Sequence, residues 1–286
     1  MLTALTSRLL LIAGALATGV MLSGCASTNE AARAALNPDT PERQFATGDA
    51  FLAKGRYEDA AKKFEDLDRD HPYSPEARRA LALSAYAYYR AGKIPEAITN
   101  GQRYTSLHPG TKEAALAHFV IASSYFEEIR SPDRDQSSTR KALAEFKILK
   151  ARYPDSTYSK DVDNKIRICE DSLAASEMVV ARQQLLGKNY AGAISRFKVV
   201  ASEYQTTAHV EEALMRLTEA YMLLGIKNEA QNAAAVLGHN FPDSQWYKDA
   251  YALLQSDGLA PREQSDSWLS KTWKGVKLPK LSLNGQ

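Results

Sequence analysis

An alanine recurs along this chain with the same company each time, and that register constrains the fold more tightly than any other feature. Five segments align on Ala60, Ala97, Ala142, Ala193 and Ala230. Eleven residues after each stands a ring: His71, His108, Tyr153, Tyr204 and Phe241. Proline follows at once in four units (Pro72, Pro109, Pro154 and Pro242), with Gln205 in the other. Two residues further on is a hydroxyl, at Ser74, Thr111, Ser156, Thr207 and Ser244. Proline disfavours helix at the residue before it. Serine and threonine accept hydrogen bonds from the first free N–H groups of a new helix. Each unit therefore ends one helix at the ring–Pro step and opens the next from a hydroxyl cap. Five near-regular units of this kind predict an all-α fold.

The register resembles the tetratricopeptide repeat, helix A–turn–helix B, whose pattern carries an alanine and then a proline about twelve residues later. Small residues at Gly48, Ala85, Ala181 and Thr218 suit the close A–B contact, and Phe51, Tyr88 and Tyr221 fill the aromatic slot. The resemblance implies an α-solenoid of five helix–turn–helix repeats over 42–256, at about 42–73, 74–110, 111–155, 156–206 and 207–243, closed by a capping helix at 245–255. The alanines are 37, 45, 51 and 37 residues apart, against about 34 for the family unit. The surplus in the 45 spacing falls in SPDRDQSST (131–139), a polar loop between the third pair of helices. The 51 spacing exceeds 37 by 14 residues, close to four helical turns at about 3.6 residues each. It lengthens a helix over 158–186 without rotating its apolar face.

Ahead of the repeats, residues 1–24 read as a lipoprotein signal peptide: Arg8, the run LLLIAGALATGVML, then SGC. That run is too short to span a bilayer comfortably and suits a signal-peptide core. LSGC resembles a bacterial lipobox. The resemblance implies cleavage before Cys25 and covalent diacylglycerol and N-acyl lipid on its thiol and new amino terminus, with no other cofactor. Buried acyl chains contribute about 0.8 kcal/mol per CH₂, so a fully acylated Cys25 holds a protein on a membrane. Ala26 in place of Asp resembles an outer-membrane sorting address. Residues 25–41 are the lipidated cysteine and a small, polar, Pro-punctuated tether. Formal charge is only +2 over 286 residues, so no basic excess invites nucleic acid. Cys25 and Cys169 are too few for a disulfide scaffold.

No nucleophile elbow, phosphate loop or zinc-ligand spacing appears, so an enzyme is not expected. His71 and His108 share a repeat column and read as turn residues, while His118, His209 and His239 show no partner at ligand spacing. Cys169 reads as a buried structural thiol, and Asp133–Arg134–Asp135 as a solvated loop. Repeat solenoids bind on the concave face lined by A helices. Groove positions carried over from the tetratricopeptide family through the alanine register are Phe45, Asp49, Arg79, Tyr86, Tyr89, Arg90, Phe119, Ser123 and Phe126. Aromatic anchors beside two arginines suit an extended peptide with apolar side chains and a terminal carboxylate, which arginine grips bidentately. Packing of these rings between neighbouring helices is the competing reading. Residues 257–286 are a Trp/Lys-rich tail; as a helix it puts Trp268, Leu269, Thr272, Trp273 and Val276 on one side. That face suits lipid headgroups, a partner, or the repeats themselves.

Together the lipobox, the tether, the five repeats, DLDRDHPYSP with the following AYAYY, the DRD loop and ARYPDSTYSKD resemble the BamD-type lipoproteins of the outer-membrane β-barrel assembly machine. The match covers nearly all of residues 22–256. It implies a non-enzymatic scaffold, lipid-anchored on the periplasmic face of the outer membrane. The implied partners are the POTRA region of BamA, other assembly-machine lipoproteins, and unfolded outer-membrane proteins whose signals end in an aromatic carboxyl-terminal residue. Substrate signals go with the N-terminal repeats and assembly partners with the C-terminal ones. Arg196, on helix B of the fourth repeat, matches a family arginine at the BamA contact; read from the residues alone it is equally a solvated helix residue. Where the family commonly has proline after DRD this chain has Gln136, so its loop is expected to differ. A tetratricopeptide lipoprotein serving as adaptor for peptidoglycan or cell-wall enzymes is the alternative.

Overall fold

The computed structural model describes residues 40–276. The signal segment, the lipidation position Cys25, most of the tether and residues 277–286 lie outside the described residues. Within them are twelve α-helices, one 3₁₀ turn and no strand. The chain divides into two compact units, one ending at Lys93 and the other beginning at Ile94. That boundary falls at the turn inside the expected second repeat, so the two helices of that repeat belong to different units.

The first unit contains α1 (Pro41–Ala53), α2 (Tyr57–Asp70) and α3 (Pro75–Arg90). Helix α2 turns Ala60, Ala61, Phe64 and Leu67 inward at helical spacing, and all four are fully buried. Gly48 of α1 lies against Phe64 so closely that a Cβ there would sit 2.4 Å from the ring. The ring–Pro step closes α2 as the register predicts. The His71 N–H reaches Leu67 O at 2.9 Å, and the Ser74 N–H reaches His71 O at 3.0 Å. Ser74 then caps α3, its hydroxyl accepting from the Ala77 N–H at 3.0 Å.

The second unit runs through α4 (Ile94–Leu107), α5 (Ala114–Glu127), α6 (Ser137–Arg152), α7 (Val162–Leu186), α8 (Tyr190–Glu203), α9 (Val210–Leu223), α10 (Lys227–Asn240), α11 (Gln245–Ser256) and α12 (Trp268–Trp273). From α4 to α11 successive helices pack on one another. Tyr153, Tyr204 and Phe241 end their helices with φ/ψ of −132/51, −124/41 and −137/62. Tyr204 precedes Gln205, yet its geometry matches the residues that precede proline. The turn is therefore set by packing and reinforced by proline.

Two expected caps do not form. Helices α5 and α9 begin three residues after Thr111 and Thr207, behind Glu113 and His209. The threonine hydroxyls turn back instead, donating to His108 O at 3.0 Å and Tyr204 O at 2.8 Å. A side chain bonded to the carbonyl behind it no longer serves the helix ahead.

Helix α7, 25 residues long, belongs to two cores. Val162 and Cys169 join Phe146 and Leu149 at one end. Ala174, Met178 and Ala181 join Phe197, Leu214 and Leu217 at the other. The extra turns keep these residues on one stripe, so a single helix closes one hairpin and opens the next. The tail folds back over α10 and α8: the buried Trp273 indole donates to Ala201 O at 2.9 Å and meets Phe241 edge-on. Trp268 lies under Lys198 and donates to the Tyr221 hydroxyl. The indoles are thus taken by the fold, leaving Lys271 and Lys274 outermost.

Gly48→Ala gains helix propensity but drives a methyl into a ring that has no room to swing away. A net loss of about 1–2 kcal/mol is expected, read as a lower urea midpoint with unchanged helix content.

Candidate functional site

In the first unit, Arg79, Tyr86 and Arg90 stand seven and four residues apart, which places them on one face of α3. The Arg90 guanidinium donates to the hydroxyls of Tyr86 and Tyr57, each at 2.7 Å, and lies 4.6 Å over the Tyr57 ring. Those hydroxyls, Tyr86 first, hold its pKa above the ordinary arginine value, so the group stays charged. Tyr57, at the start of α2, is not singled out by the groove register. It enters only because α2 packs on α3.

Arg79 lies 4.7 Å over the ring of Phe45. That ring is itself buried against Phe64, centroids 5.6 Å apart. Phe45 is therefore a core residue that shows one face to an arginine, not an open anchor. Asp49 is exposed one turn further along α1, and Tyr89 is half-buried. The result is a face carrying two arginine cations backed by aromatic rings. Such cations are oriented, because stacking and hydroxyl bonds restrict the long side chains.

The remaining three groove residues belong to the second unit. Phe119 stacks on Tyr158 at 5.3 Å, and Phe126 meets Phe146 edge-on at 5.9 Å beneath the Lys165 ammonium. Ser123 is buried, with no partner for its hydroxyl among the described residues. Both rings are half-buried, each with one side against a neighbouring ring. Arg196 projects from α8, donates to Glu177 of α7 at 2.9 Å and keeps about half of its side chain in solvent.

The DRD loop is organised by a residue that composition alone does not mark. Gln136 is buried, and its amide makes four bonds. Its nitrogen donates to Ser131 O at 3.0 Å and Arg134 O at 3.1 Å. Its oxygen accepts from the Thr139 hydroxyl at 2.7 Å and the Ser172 hydroxyl at 3.2 Å. The loop is thereby tied to α7, while Asp133 and Asp135 accept from Ser131 and Ser137 and titrate below the usual aspartate value. Proline could form none of these side-chain bonds.

His118 finds a partner that sequence spacing hides: its Nδ1 lies 2.7 Å from Glu145, between α5 and α6. His209 sits 3.7 Å from Asp171. Among the described residues no cluster of histidine, cysteine, aspartate and glutamate is arranged to hold a metal. Cys169 is fully buried, and that burial, then Glu170, pushes its thiol up to about 12.

A family model for outer membrane lipoproteins, YfiO, matches residues 38–237. Curated relatives similar to this chain carry the name outer membrane protein assembly factor BamD, among them these three. The Caulobacter vibrioides protein is 39% identical over 240 residues, covering 84% of this chain and 79% of the relative. The Rickettsia prowazekii protein is 35% identical, covering 89% of this chain and 98% of the relative. The Neisseria gonorrhoeae protein is 31% identical, with 82% and 92% covered. Among solved structures, a thermophilic TPR protein of Thermus thermophilus aligns at TM-score 0.37 and 19% identity, over 75% of this chain and 98% of that one. That likeness is too loose to transfer anything.

Gln136→Ala leaves two carbonyls and two hydroxyls short of a partner. A loss of about 2 kcal/mol is expected, with faster amide exchange across 131–139. A maleimide at about pH 8 should leave Cys169 unlabelled in the folded Cys25→Ser protein and label it fully in urea.

Proposed function

The chain belongs to the YfiO family of outer-membrane lipoproteins, and from that premise we propose that it is a non-enzymatic scaffold of outer-membrane protein assembly, binding the POTRA region of BamA and unfolded outer-membrane proteins. The family match across residues 38–237, together with relatives named as assembly factors, carries this reading. No described helix is long and apolar enough to cross a membrane. In this reading lipid on Cys25 attaches the protein to the outer membrane, with the repeats on the periplasmic face. Other lipoproteins of the machine are partners of the same scaffold.

The chemistry of the first unit suits the substrate role. A substrate ending in an aromatic residue offers a ring and a carboxylate together. Arg79 and Arg90 present charge beside aromatic surface, and each arginine fork matches a carboxylate bidentately. For the partner role, Arg196 has half of its side chain in solvent although Glu177 already holds it. A carboxylate on BamA would share that cation.

Co-purification of the full-length lipoprotein, tagged at its C-terminus, from outer membranes in mild detergent tests both roles. Recovery of a POTRA-bearing barrel protein, lost on Arg196→Glu, is expected. Arg79→Glu with Arg90→Glu should lower binding of an aromatic-terminated substrate peptide about tenfold or more and leave barrel-protein recovery intact. Equal loss of both interactions would sink the division of labour. Recovery of peptidoglycan enzymes in place of the barrel protein would move the function to the cell wall.

A further inference from the structure

The tail helix α12 is six residues long, yet it is fastened at many points. Ahead of it the Gln264 N–H donates to Asn232 Oδ1 at 2.8 Å, and the Ser267 hydroxyl donates to Glu229 at 2.8 Å. The buried Ser270 hydroxyl donates to the same Asn232 oxygen at 2.9 Å. With both indoles also turned inward, this stretch is a fixed base. Lys271 and Lys274 project from it into solvent, and neither has a carboxylate partner among the described residues.

Between the tail helix and the end of α10 lies a cavity of about 490 Å³. Lys271 and Lys274 line it with His239, Ser265 and Ser270, and Glu263 is the carboxylate on its wall. Two ammonium groups against one carboxylate leave that wall positive.

The sequence extends the pattern. Lys277 and Lys280 continue the spacing of three begun by Lys271 and Lys274, with Val276, Leu278, Leu281 and Leu283 between and beyond them. The last twenty residues hold four lysines and no Asp or Glu. The preceding 266 residues hold the other 32 Lys and Arg and all 34 Asp and Glu, a net −2. A chain close to neutral thus concentrates positive charge at one end.

Residue choice separates the candidate ligands. The paired grip on a carboxylate in this molecule is an arginine's, as Arg182 holds Glu212 through bonds of 2.8 and 2.6 Å. All four tail cations are lysines, compact point charges on flexible stems that demand no single geometry. Such a set suits phosphates spread over a surface better than carboxylates fixed on one protein. Aliphatic side chains among the lysines suit a surface whose interior is apolar.

We propose that residues 267–286 form a second membrane contact, in which Lys271 and Lys274 take the phosphates of anionic phospholipid headgroups at the cavity and Lys277 and Lys280 extend the contact. The two tryptophans brace it from within and do not enter the lipid. Lipid on Cys25 fixes where the chain starts; a charged contact at the other end of the sequence holds the second unit to the same surface. That consequence rests on the lipid anchor, whereas the headgroup contact does not. Arg79, Arg90 and Arg196 take no part in it.

The test is flotation with vesicles of phosphatidylcholine, alone or with about 30 mol% phosphatidylglycerol. The protein is the mature chain, residues 25–286, carrying Cys25→Ser, so that neither signal peptide nor acyl chain holds it to a vesicle. Binding is expected to the mixed vesicles alone and should be lost at about 0.5 M salt. Lys271→Gln with Lys274→Gln should lower the partition coefficient about tenfold or more. Lys54→Gln with Lys160→Gln, an equal change of charge at exposed positions elsewhere, should leave it within about twofold. Melting temperature and tryptophan emission should hold in both variants, because the indoles keep their places. No flotation with phosphatidylglycerol, equal flotation with phosphatidylcholine alone, indifference to the tail pair, or an equal loss from the control pair would each overturn the proposal.

Discussion

Everything in this molecule hangs on how closely its helices approach at the alanine column. Ala60, Ala97, Ala142, Ala193 and Ala230 have no exposed surface at all. An alanine in that position lets two backbones approach, so that the larger neighbours four residues on, Phe64, Phe146 and Phe197, can fill the space between helices. A larger side chain would push the pair apart and open voids around those rings. Gly48 marks the limit of the same constraint, since even a methyl group there meets Phe64. Stacking of hairpins, exposure of A-helix faces and the positions of the turns all follow from this spacing.

Helix α7 shows how such an array absorbs an insertion. Fourteen extra residues would disrupt a compact domain, but added as helical turns they leave the inward stripe aligned. Cys169 then packs with one core and Met178 with the next. The long helix also gives the DRD loop something to hold, because Gln136 bonds to Ser172 on it. An insertion in one repeat is thereby stabilised by the insertion in the following one. The tail helix adds a further tie, with Trp273 bonded to Ala201, 72 residues earlier.

The surfaces that face solvent are built differently from the cores. Arg90 between Tyr57 and Tyr86, and Arg79 over Phe45, are cations whose freedom is removed by rings. A cation held in place loses little further entropy on binding a carboxylate. Such a face presents fixed charge and aromatic surface to an incoming carboxylate, with the ordering cost already met by the protein's own packing.

The sequence by itself determined the helical hairpins, the ring–Pro turns and the hydroxyl caps at Ser74 and Ser244, because these depend on residues within a few positions of one another. It also carried the family, through motifs spread over most of the chain. Tertiary structure decided what periodicity cannot express. Thr111 and Thr207 fit the cap column, yet their hydroxyls turned back to carbonyls behind them. Phe45 fits a groove position, yet its ring was taken by the core. His118 found Glu145, Gln136 found Ser172, and the two tail tryptophans found the repeats. Apart from the two threonines, whose carbonyls lie three residues behind them, the partner lies well along the chain and is reached only when helices pack. A spacing rule that describes one helix face therefore holds no information about which distant side chain will meet it.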